Sequence, residues 1–109
     1  MKKNKTFCPV RDILAQVSDK WSILIMHHLL EGQVMRFNQL QRTIPDISQK
    51  MLTQTLRKLQ SMNLISRKIY PEVPPRVEYQ LSELGHSFIQ RLQPLIEWAI
   101  DNREQCIGE

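Results

Sequence analysis

The change of hydrophobic period along this chain constrains its fold more than any other feature. From residue 9 to about residue 62 the apolar residues recur at helical spacing; from Leu64 to Ser82 they alternate; beyond Ser82 the helical spacing returns. "LISRKIY" sets Ile65, Arg67 and Ile69 against Ser66, Lys68 and Tyr70, while "RVEYQLS" gathers Val77, Tyr79 and Leu81 on one face. Between the two lies "PEVPP", a polar, proline-rich tip, so this segment is expected to form a β-hairpin.

Upstream, "PVRDILAQV" lines up Val10, Ile13, Leu14 and Val17 on one helical stripe, with Pro9 suited to the first turn. Ser18-Asp19 is expected to cap a second helix, "KWSILIMHHLLEG", which is apolar almost all round and therefore buried, with Gly32 as its stop. "QVMRF" is a brief strand or extended link, and "NQLQRTI" a short helix capped by Asn38 and ended by Pro45. A further helix, capped by Ser48 or Asp46, runs to about Met62 with Asn63 as a left-handed stop. The last helix starts at Ser82 or Glu83, carries Leu84, Phe88, Leu92, Leu95, Ile96 and Ala99 on its stripe, reaches Glu104, and should kink at Pro94. Helix, helix, short strand, helix, helix, hairpin, helix is the order of a winged helix-turn-helix, an α+β fold that is mostly α.

At 109 residues the chain is expected to be one such domain, 1–109, able to bury a core without metal or disulfide staples. Hydrophobic residues at 41% and charged residues at 24% argue against disorder, and aromatics at only 6% leave the core to Leu, Ile and Met. Residues 1–7, with three lysines, are expected to form a flexible basic arm. A net charge of +4 leans toward an anionic partner. No apolar run reaches the roughly 18 residues of a membrane span, and "MKKNKTFCPV" lacks the apolar centre of a secretory signal. The two cysteines, Cys8 and Cys106, make no framework, so a cytoplasmic chain with free thiols is expected. His27, His28 and His86 share no ligand spacing with cysteines or carboxylates, and no glycine-rich phosphate loop is present. An enzyme, a metal site and a cofactor are therefore not expected.

The helix after Ser48 carries the functional signal. At about 100° per residue, Leu52, Leu56 and Leu59 share a narrow arc. Lys50, Gln54, Arg57 and Ser61 fall opposite, flanked by Gln49, Thr53 and Lys58, and the helix contains no Asp or Glu. An ordinary solvated helix uses acids for i,i+4 pairs with its cations. Duplex DNA carries a phosphate charge every ~1.7 Å of axis and would repel a carboxylate on this face. Amide, hydroxyl and cationic groups are the types that read base edges and phosphates in a major groove. Ser48 at the cap, the hairpin cations Arg67, Lys68 and Arg76, and Asn38, Gln39 and Arg42 of the preceding helix extend the candidate DNA surface. Two alternatives stand beside it: a solvated face that happens to be basic, and a winged-helix module that binds an acidic protein partner.

Specific motifs sharpen the choice. "CPV", "KW", "ILIMHHLLEG", "RFNQLQRTIP", "ISQKMLTQTLRKL", "PPRVEY" and "LSELG" resemble the HxlR-type, MarR-related winged-helix transcription regulators over about Cys8 to Ile100. Where that family usually has a glycine before Lys-Trp, this chain has Ser18-Asp19. The resemblance implies a homodimer joined through its terminal helices, each protomer placing its fourth helix in one half-site of an operator, most often as a repressor. It also implies that Cys8 senses oxidants or electrophiles.

The residues agree on both counts. A single reading helix makes too few base contacts for specific binding, and paired half-sites remedy this. Residues 96–109 hold more apolar surface than a small domain covers, so Ile96, Trp98 and Ile100, with Val10 and Leu14, are dimer candidates unless they complete the monomer's core. Cys8 precedes a helix and lies near Lys5 and Arg11, which would lower its pKa; otherwise it is a small buried hydrophobe. Cys106 is either a thiol within reach of a partner's Cys8 or an inert one.

Overall fold

A computed structural model describes residues 9–107. They form α1 (Pro9–Val17), α2 (Ser22–Gly32), β1 (Val34–Arg36), α3 (Phe37–Thr43), α4 (Gln49–Ser61), β2 (Ile65–Tyr70), β3 (Arg76–Leu81), α5 (Glu83–Asp101) and α6 (Arg103–Ile107). The order read from the hydrophobic periods is reproduced, and the fold is the expected winged helix-turn-helix. β3 lies at the centre of an antiparallel sheet ordered β1-β3-β2. Its register sets Ile65 opposite Leu81, Arg67 opposite Tyr79 and Ile69 opposite Val77. β1 pairs on the other edge, with Val34 opposite Gln80 and Arg36 opposite Glu78.

One core joins these elements. α2 contributes Ile25, Met26 and Leu29, α3 Leu40, the following turn Ile44 and Ile47, and α4 Leu52, Leu56 and Leu59. The hairpin adds Leu64, Ile65, Tyr79 and Leu81, and α5 adds Ile89. Each aliphatic side chain buried here stabilises the fold by about 1.5–3 kcal/mol before entropy is charged against it. α1 differs: Val17 is buried, while Val10, Ile13 and Leu14 of the same stripe are exposed. Between α1 and the start of α5 runs an apolar groove of about 320 Å³, lined by Ile13, Val17, Met62, Leu64, Leu84 and Phe88, with Ser87 and Arg91. Among the described residues no helix is long and apolar enough to cross a membrane.

Several helix ends depart from expectation, each for a local reason. The Asp19 carboxylate accepts the N–H of Trp21 at 3.1 Å and of Ser22 at 3.2 Å. α2 begins only at Ser22, with Trp21 in the capping position, so the expected cap at Ser18-Asp19 lies ahead of the helix and Asp19 serves its entry from there. α2 stops at Gly32 as expected, yet the left-handed φ of 69° falls on Gln33. Asn38 does not cap α3 but lies inside it; the Arg36 N–H donates to Gln39 Oε1 at 2.8 Å, so a first-turn glutamine folds back over the helix start. At α4, Ser48 is the cap: its Oγ accepts the Met51 N–H at 3.0 Å, and Asn63 takes the stop at φ 64°. α5 continues through Pro94 and ends at Asp101; the expected helix to Glu104 is divided at Asn102, whose N–H and side-chain amide both donate to Trp98 O.

Candidate nucleic-acid interface

The helix-turn-helix positions α4 from both ends. Ile44 and Ile47 bury the turn after α3, and the Gln41 side-chain amide donates to Ile47 O beneath it. Leu52, Leu56 and Leu59 then seat α4 on the core, while the Thr55 hydroxyl, buried with them, is satisfied by donating to Met51 O at 2.8 Å. What remains outside is the acid-free face. Gln49, Lys50, Thr53, Gln54 and Arg57 line one shallow furrow. Arg57 also lines a second, with Gln60, Ser61 and Arg67, so the two are continuous. Among the described residues no carboxylate pairs with Lys50, Arg57 or Arg67.

Other candidates are engaged elsewhere. Lys58 does not present a free ammonium: its Nζ lies 2.7 Å from Asp19 Oδ1, holding the last turn of α4 to the entry of α2. The same carboxylate accepts a hydrogen bond from Ser22 Oγ. Partial burial raises the Asp19 pKa, but the hydrogen bonds from Lys58, Ser22 and Trp21 outweigh it and hold the group at about 2. Arg76 is not a free wing cation either. It bridges to Glu72 at 3.2 Å and Glu78 at 3.5 Å and stacks 3.9 Å from the Tyr70 ring centroid. Lys68 stands one residue from Arg67, so strand alternation turns it to the far face of the sheet. There it lines a small depression with Ser66, Tyr70, Glu78 and Gln80, its Nζ 5.0 Å from the Tyr70 ring centroid.

On α3, Asn38 and Arg42 are exposed, while Gln39 spends its carbonyl on the helix start. Ser48 spends a lone pair on its cap. Gln60 was not anticipated from the sequence; its three-residue offset from Arg57 was the available signal. His28 is pushed below its usual pKa by burial first and by the neighbouring His27 second. Among the described residues no three His, Cys, Asp or Glu are grouped as metal ligands.

The dimer candidates also divide. Val10, Leu14, Trp98 and Ile100 are exposed, Trp98 at 55% and Ile100 at 65%. Ile96 instead packs half-buried against the protomer's own core, because its turn of α5 faces inward. Cys8 lies outside the described residues; Cys106 is an exposed free thiol on α6.

Comparison with known proteins places this geometry. The HxlR-like helix-turn-helix family profile matches residues 16–106. An uncharacterised HTH-type transcriptional regulator of Methanothermobacter thermautotrophicus is 46% identical over 98 residues, spanning 90% of this chain and 74% of its own length. The reduced form of the redox regulator HypR superposes with a TM-score of 0.84 at 34% identity, over 94% of this chain and all of that one. Reduced YodB, a transcriptional regulator from Bacillus subtilis, does so with a TM-score of 0.74 at 35% identity, over 85% and 91% of the two chains. A match over most of the chain in sequence, and over the whole helix-turn-helix and wing in structure, makes it a member of the HxlR-like helix-turn-helix family of transcriptional regulators.

Proposed function

We propose that this protein is a cytoplasmic, homodimeric, sequence-specific binder of duplex DNA that acts as a repressor. A single domain carries the reading helix, with a basic arm at residues 1–7 and a dimerising end at 96–109. The observation that carries the proposal is the unpaired face of α4: Lys50, Thr53, Gln54 and Arg57 share one open surface without a facing carboxylate. α4 enters the major groove, with Gln49, Lys50, Thr53 and Gln54 at base edges. Asn38, Gln39 and Arg42 of α3 lie toward the backbone. Retention of genomic fragments tests it. The expected result is a selected sequence bound with a log affinity that falls steeply against log salt. Binding only to an acidic protein, with no preference among duplexes, would return the reading to a protein-interaction module.

Cys8 is the proposed sensor of a two-electron oxidant or an electrophile. The likeness to HypR and YodB supports this reading, and Cys106, exposed on α6, is available to the partner's Cys8. Release of the selected fragment on oxidation by the wild type, but not by Cys8→Ser, is expected; equal release by both would remove Cys8 from the mechanism.

A further inference from the structure

We propose that Arg57 and Arg67 form a two-guanidinium clamp on a single backbone phosphate of duplex DNA, just beyond the bases that the start of α4 reaches. This rests on the duplex-binding reading above and adds to it a site drawn from two elements. Arg67 lies on the helix-facing side of β2, opposite Tyr79 and between Ile65 and Ile69. Alternation would place an apolar side chain there. Ile65 is buried and Arg67 exposed, so the position falls where the hairpin leaves the core. It shares an open depression with Arg57, Gln60 and Ser61 of α4.

Charge separates these two arginines from the other cations nearby. Lys58 is bound by Asp19, and Arg76 by Glu72 and Glu78. Arg57 and Arg67 have no ion-pair partner among the described residues. Two arginines that line one depression without a counter-charge concentrate positive charge there, and an anion seated between them is attracted by both. Guanidinium forks match phosphate oxygens bidentately, and the Gln60 amide adds a neutral donor. The Ser61 hydroxyl proton is committed to Lys58 O at 2.7 Å. Residues at the start of a reading helix meet base edges, whereas its later turns and the wing rise toward the backbone. The anion at this level is therefore a phosphodiester rather than a base.

Salt titration of binding distinguishes one shared phosphate from two separate ones. The probes are the fragment retained from genomic DNA and a duplex of arbitrary sequence. Arg57→Ala and Arg67→Ala are each expected to weaken both probes roughly tenfold. In either single variant the remaining arginine still neutralises the phosphate, so the slope of log affinity against log salt stays near the wild-type value. In the double variant it falls by about 0.9 per protomer. Separate slope losses in each single variant, summing to about 1.8 per protomer in the double, overturn the clamp; so does a changed base preference in Arg67→Ala. Both side chains are exposed, and Arg67→Lys, which keeps the charge but loses the fork, should hold the slope and lose part of the affinity. Inorganic phosphate is expected to compete no better than its ionic strength dictates. A wild-type chain with no salt-dependent duplex binding overturns the regulator reading, and the clamp with it.

Discussion

Hydrogen bonds from Lys58, Ser22 and Trp21 hold the Asp19 carboxyl near pKa 2 against the opposing effect of partial burial. A depressed carboxylate pKa contributes stability that is present above the unfolded value of 3.8 and is lost as pH falls toward 2. Asp19 is about a third exposed, so solvent screening reduces its worth to about 1 kcal/mol. Asp19→Asn, which keeps one side-chain oxygen for the Trp21 and Ser22 N–H groups but removes the charge and turns an amide NH2 toward Lys58, should lower stability by at least that amount at neutral pH. Urea titrations from pH 7 to about pH 2 should show the gap closing below pH 4; a constant gap would mean that the charge contributes nothing. Gly85 offers a sharper case. A Cβ there would lie 1.9 Å from Leu64 O, so the first turn of α5 approaches the backbone leading into β2 as only glycine permits. Gly85→Ala should cost about 3 kcal/mol or more by chemical denaturation, and a loss below about 0.5 kcal/mol would contradict the packing. At this scale the sequence was partly legible. "SELG" marked a helix start, but nothing local to it announced the contact with Leu64. Lys58 and its partner Asp19 are 39 positions apart, so no spacing rule reveals that this cation is spent.

Elements were more legible than their ends, because a period is summed over many residues and a cap is decided by one. α4 was placed within a residue of its observed limits by its leucine spacing, Ser48 and Asn63. α3 was capped on the wrong residue because Gln39 reaches back to Arg36 and leaves Asn38 inside the helix. α5 continues past Pro94, although proline removes a backbone donor, and the run expected to reach Glu104 is divided at Asn102. The hairpin strands and their alternation were read correctly, yet Arg67 and Lys68 were both counted as candidate DNA contacts although that alternation puts them on opposite faces. Ser48 allows stability and recognition to be separated. Ser48→Ala should remove about 1 kcal/mol from the fold and speed exchange of the Met51 amide. Ser48→Asp keeps an acceptor at the cap and suits the helix dipole, so thermal melting should stay near wild type. In the proposed complex its carboxylate would stand at the duplex end of α4, so DNA affinity should fall nonetheless. Unchanged affinity for Ser48→Asp would place the helix start away from phosphate.

The whole molecule is too extended for its length to be a finished globule. Its radius of gyration is 15.6 Å, against about 13 Å expected for a compact chain of this size. α1 adds only Val17 to the buried core, the far end of α5 adds only the half-buried Ile96 against it, and α6 has no buried residue. These parts carry the apolar residues that the fold leaves in water: Val10, Ile13 and Leu14 at one end, and Leu95, Trp98, Ile100 and Ile107 at the other. Exposed apolar residues gathered on terminal elements mark a candidate interface, and in the proposed homodimer a second copy would supply the same two sets of helices in twofold arrangement. Aromatic anchors dominate such interfaces, and removing one typically costs 2 kcal/mol or more of association free energy, roughly a thirtyfold weakening. Trp98→Glu adds a buried charge to that loss, and because the side chain is exposed in the protomer, the protomer's own fold should survive. Sedimentation at micromolar concentration should then give a monomer with an unchanged circular dichroism spectrum, while the wild type sediments as a dimer. The same variant should bind an isolated half-site as the wild-type protomer does and lose affinity only for the paired site. If Trp98→Glu still sediments as a dimer, the twofold contact lies on another face of the molecule, and the spacing between the two α4 helices must be sought there.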